Sequence, residues 1–152
     1  RVFSMNFSQL WSLMLRFSVG VFWLFFASQR WFDRSWVRPL LETAAAGNYI
    51  PIYRDLLRQA ANSWEAMAII VTIAETSVGA MIVIGVFPRI AALVGAVIAS
   101  NLWLTFSFCD CWWNTEDAPM VFWFYFSAFM LNLAVVREKS HPSIIKVRKK
   151  AA

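Results

Sequence analysis

Four apolar runs, each about twenty residues long, constrain this chain more than any other feature. They cover roughly 7–28, 64–87, 90–108 and 118–136. The first holds one charge, Arg16. The second has Glu65 at its start and Glu75 inside. The third and fourth hold none. A helix needs about 20 residues to cross the hydrocarbon core of a bilayer. A buried helix of a soluble protein would show polar positions at every turn over that length. Composition agrees: 60% of the 152 residues are hydrophobic and 15% are charged, with a mean hydropathy of +0.56. Such a chain is too apolar for disorder, a coiled coil or a disulfide scaffold. The expectation is one all-α domain, an integral membrane four-helix bundle.

The punctuation between the runs supports these ends. Pro88-Arg89 breaks the second run from the third, which makes those two an antiparallel hairpin. Asp117-Ala118-Pro119 reads as the N-cap and first turn of the fourth. Trp103, Trp112, Trp113 and Trp123 surround the loop before it, as an aromatic belt does at a membrane interface. Small residues about four apart (Gly79 and Gly85; Ala91, Ala92, Gly95, Ala96 and Ala99) read as positions of close helix packing.

The 35 residues of 29–63 are too many for a bare connector. Apolar Trp36-Val37, Leu40-Leu41, Ile50, Tyr53, Leu56 and Leu57 alternate with charges at helical spacing. The expectation is one or two short amphipathic helices on the outer face, broken at Gly47-Asn48 and Pro51. They read either as a lid over a site or as an interfacial rest covering the bundle.

Net charge is +5, and six of the 14 Lys and Arg fall in residues 137–152. A basic tail after an apolar run reads as a cytoplasmic flank facing anionic lipid. It is not the charge stripe of a nucleic-acid-binding surface. Arg89 sits in the second turn, while the loop before the fourth run holds Asp110, Glu116 and Asp117 and no Lys or Arg. Both termini and Arg89 are therefore expected in the cytoplasm of a bacterial or archaeal plasma membrane. Residues 29–63 run against this, with five Arg to three acids. The first run is too long for the h-region of a signal peptide, so no secretory signal is expected.

Ionisable groups within a membrane are costly and need a reason. Counting from the inner ends of their runs, Arg16, Glu75 and Asn101 fall near mid-depth. These three are expected to form one polar cluster inside the bundle. The cluster reads either as an ion pair that orients helices or as a quinone or proton site. In the second reading a carboxylate takes the proton and Arg holds an oxygen. Cys109 and Cys111 form a Cys-Asp-Cys group at the outer mouth of the third run, on the oxidising side. A disulfide between them would close a small strained ring, hence a reactive one. The pair reads as a redox or sulfur-handling site, or as two interfacial cysteines without a role. No haem is expected, because the one histidine, His141, lies outside the runs. Nor is a metal, since zinc usually takes four ligands.

The order of these motifs resembles the DoxX/DoxD-like membrane proteins. The run Leu15-Arg16-Phe17-Ser18-Val19-Gly20-Val21-Phe22-Trp23 is similar to the opening of their first helix. Glu75, Gly79, Gly85, Phe87 and Arg89 resemble their second helix and its turn. Leu102-Trp103 and Cys111-Trp112-Trp113 resemble the third helix and tryptophan-rich loop of the DoxD branch. The resemblance covers about 15–136. It implies a four-helix membrane bundle and a link to thiosulfate:quinone oxidoreductase, whose large subunit is DoxD-like. Arg16, Glu75 and Arg89 match the family pattern, and together with Asn101, which its depth adds, they are the candidate quinone-binding positions. Glu75, Arg16, Cys109 and Cys111 are candidates for the chemistry, with other oxidoreductase or electron-transport subunits as partners. The alternative is a non-catalytic accessory subunit of a larger respiratory or photosynthetic complex, its aromatics packed on partner helices and lipid.

Overall fold

The computed structural model describes residues 7–110 and 118–138. It consists of α1 (Phe7–Phe32), α2 (Val37–Gly47), α3 (Pro51–Asn62), α4 (Trp64–Ile84), α5 (Pro88–Ser107) and α6 (Ala118–Arg137). Helices α1, α4, α5 and α6 are each long and apolar enough to cross a membrane. The protein is thus a multi-pass helical membrane protein. The four spans lie close to where the apolar runs place them. The largest difference is at the end of α1, which continues four residues beyond 28.

The most extensive packing is between α1 and α4 and between α5 and α6. Helices α4 and α5 join these pairs, and α1 touches α6 to close the ring. The core at the ring's centre is built from Val19, Trp23, Val78, Ile82, Ala92, Ala99, Ala128 and Val135. Outward-facing side chains remain apolar, including Phe17, Phe25, Ile70, Ile73, Val97 and Leu131. That inversion of the soluble pattern is what a lipid solvent requires, since hydrocarbon surface costs nothing there.

Two close approaches set the registers. A Cβ on Gly79 would stand 2.8 Å from the Gly20 carbonyl oxygen, and one on Gly20 would stand 2.9 Å from that of Gly79. Glycine at both positions lets the α1 and α4 backbones touch, as small residues do between membrane helices. On the other side Gly95 of α5 makes room for Asn132 of α6, whose Oδ1 would be 2.4 Å from a Cβ there. Asn132 Oδ1 accepts from Trp23 Nε1 at 3.1 Å, and its Nδ2 donates to the Ala128 carbonyl at 2.7 Å. One buried amide therefore ties α1 to α6 across the glycine of α5.

Gly85 ends α4 in the left-handed region (φ 80°), where a glycine has no steric penalty. Phe87 is also left-handed (φ 46°), and Pro88 opens α5. These bends reverse the chain within three residues, giving the hairpin expected at Pro88-Arg89.

The connector holds the two amphipathic helices that its pattern implies, broken at the expected places. Asn48 fastens them to the bundle. Its Nδ2 donates to the carbonyls of Leu104 and Thr105, and its Oδ1 accepts from the Ile50 amide. The Tyr49 amide donates to the Phe108 carbonyl, and the Tyr49 hydroxyl to Asp110. Below them Ala44, Ala45, Leu57 and Phe106 form a second small core. Helices α2 and α3 thus cap one end of the bundle. Asp117, Trp112, Trp113 and the tail from 139 onward lie outside the described residues.

Candidate functional site

The most buried charge among the described residues is Glu75, on α4, only 1% exposed. Its partner is Arg30, near the end of α1 and 8% exposed, which donates through an Nη to Glu75 Oε2. The glycine contact explains this pairing. With Gly20 and Gly79 in contact, antiparallel helices put Glu75 about level with residues 24–27. Arg30 then stands about 6 Å further along the axis, within reach of a guanidinium folded back along its helix.

The expected cluster of Arg16, Glu75 and Asn101 does not form. Arg16 stands fourteen residues before Arg30, about 21 Å away along α1. There it donates through Nε to Glu138 at 3.1 Å and through Nη2 to Ser12 Oγ at 3.0 Å. Arg89 joins the same end, with Nε and Nη2 both donating to the Glu138 carbonyl. Asn101 falls on the wrong face. The buried stripe of α5 runs through Ala92, Gly95, Ala96 and Ala99, and two residues past Ala99 is about 200° around the helix. Asn101 instead accepts from the Tyr53 hydroxyl of α3 and donates to the Val97 carbonyl.

Depth counted from assumed helix ends missed Arg30 because the first run was closed at 28. The signal was present. Val19, Gly20, Trp23, Ala27 and Arg30, all buried, recur at helical spacing on one face, and Trp31-Phe32 extends the apolar run past the charge.

The pair is not fully satisfied. Among the described residues, Glu75 Oε1 and Arg30 Nε are buried without a hydrogen-bond partner. The guanidinium carbon of Arg30 lies 5.9 Å from the centre of the Trp36 ring, a cation–π distance. Trp31 Nε1 donates to Thr76 Oγ1, one residue beyond Glu75. Tyr125 of α6, stacked on Phe106, is within electrostatic reach of Arg30. Tyr125 also lines an apolar cleft of about 250 Å³ with Leu40, Phe106, Met120, Val121 and Phe124. Of Glu75, Arg30 and Tyr125, Tyr125 is the one that lines the cleft, which lies between α2, α5 and α6.

Cys109 is fully buried and disulfide-bonded. The other cysteine of the chain, Cys111, lies outside the described residues. Cys109 Sγ packs 3.8 Å from the Ala44 carbonyl and 3.9 Å from that of Thr43, under the end of α2. Cys109 also bridges Asn48 through the backbone, so the sulfur is part of the fastening of the cap. Among the described residues, no three of His, Cys, Asp and Glu converge as metal ligands would.

Fold and site together define a polytopic helical membrane protein with a buried Arg–Glu pair under an amphipathic cap. No known family model, no curated protein and no solved structure matches the chain.

Proposed function

We propose that the chain is the membrane subunit of a quinone-linked oxidoreductase, with Arg30 and Glu75, rather than Arg16 and Glu75, as its quinone site. The observation that carries this reading is the incomplete hydrogen bonding of a buried ion pair. Each buried valence left open costs about 1–3 kcal/mol, and a bound polar group that closed both valences of the pair would recover that cost. Here Glu75 Oε1 and Arg30 Nε are both open.

Their chemistry suits a quinone. An arginine N–H donates to a quinone carbonyl, and a carboxylate accepts from a quinol hydroxyl. Reduction of quinone to quinol takes two electrons and two protons. Glu75 would deliver or collect protons, and the electrons would come from a donor outside this chain. The apolar cleft beside Tyr125 would take the isoprenoid tail. Thiosulfate, the donor in the family that the sequence resembles, is the first donor to try.

Orientation enters the same proposal, with both termini cytoplasmic. Arg30 is spent as the counter-ion of Glu75, so the connector's own excess falls to four Arg against three acids. Arg16, Arg89 and Arg137 gather at the opposite end, where the basic tail begins.

The test is quinone retention after mild detergent purification, read by chromatography. Replacing both partners at once, Arg30→Leu with Glu75→Leu, leaves no charge unpaired and keeps the bundle assembled. The expected result is a folded protein that has lost its quinone. Quinone held equally well by this variant would overturn the site, and wild-type protein without any would overturn the function.

A further inference from the structure

We infer that the end of the bundle opposite the cap carries a specific site for one anionic phospholipid. The site is a cleft of about 230 Å³ between the α4–α5 turn and the end of α6. Phe87, Ile90 and Val135 form its apolar wall, and Arg16, Arg89 and Glu138 stand at its rim. Phe87 is 67% exposed and Ile90 nearly as much, so the wall continues into the lipid-facing surface. An acyl chain can enter from the bilayer without crossing polar ground.

The rim supplies the charge. Arg16 and Arg89 converge on one residue, Glu138, from α1 and α5. Arg16 spends two N–H donors on Glu138 and Ser12, and Arg89 spends two on the Glu138 carbonyl. A guanidinium has five donors, so among the described residues each keeps three for a phosphodiester. One carboxylate faces Arg16, Arg89 and the neighbouring Arg137, which leaves two positive charges among the described residues at this end. The turn that positions the site is held by two left-handed residues, Gly85 and Phe87, so Arg89 is presented by a fixed bend. A free phosphate would use the arginines but has no use for an apolar wall opening into lipid. The occupant that satisfies both halves is an anionic phospholipid.

Native mass spectrometry of the full chain from mixed micelles tests this, with phosphatidylglycerol and phosphatidylcholine at equal amounts. One well-placed arginine at a membrane surface changes occupancy by about fivefold. The expected result is one retained phosphatidylglycerol, reduced about fivefold in Arg89→Gln and restored in Arg89→Lys. Ile90→Asp should also lower retention by spoiling the wall. Equal retention of the two lipids would overturn the site. So would displacement by inorganic phosphate alone, or retention that is unchanged in Arg89→Gln but lost when residues 139–152 are removed. The last result would assign the lipid to the tail.

Discussion

Arg30 and Glu75 show how much one residue's environment decides. An isolated charge in hydrocarbon is too costly to keep, but a pair is tolerated. Removing one member should therefore hurt more than removing both. Glu75→Leu alone should lower stability by about 3–5 kcal/mol, because it leaves Arg30 buried and uncompensated. The double replacement with leucine should recover most of that loss. Thermal unfolding in one detergent measures both, and a double variant no better than the single would refute the pairing. That Glu75 needs a partner follows from the sequence. Which arginine serves it does not, because both Arg16 and Arg30 lie on the buried face of α1 and only the helix register chooses between them.

Elements are where the sequence speaks most clearly and where its silence is easiest to explain. Twenty-residue apolar runs, the Pro88-Arg89 break and the breaks at Gly47-Asn48 and Pro51 are local signals, and each appears in the structure within four residues of where it is expected. Register is a property of two helices, so no local signal carries it. Gly20 and Gly79 set it by backbone contact. Gly79→Leu should force α1 and α4 apart at a cost of about 1–3 kcal/mol and draw Arg30 away from Glu75. Disulfide cross-linking of cysteines placed on the two helices would follow the separation, and unchanged cross-linking would speak against the contact.

The cap offers a pH test. The hydrogen bond to Asp110 raises the Tyr49 phenol above its ordinary value near 10. A folded-state value above the unfolded one means that the clasp contributes below pH ~10 and is lost as pH rises through the folded value. Spectrophotometric titration, with Tyr49→Phe to identify the signal, should show a late-ionising tyrosine that turns ordinary in Asp110→Ala.

Seen whole, the protein is a ring of four spans with apolar surface outward and polar joints inward. Trp23–Asn132 and Arg30–Glu75 are both contacts between distant parts of the chain. Their timing during synthesis follows from the second. Arg30 precedes Glu75 by 45 residues, and a ribosome adds about 5–20 residues per second. For roughly two to nine seconds the arginine exists without its carboxylate. It lies two residues from the end of α1, so until α4 arrives its long side chain can rest in the headgroup layer. The 31 residues made between α1 and α4 are the amphipathic cap and its joints, which shelter at that same surface. The first span is thus delivered to the bilayer unfinished, and its charge is drawn inward only when the second span is translated.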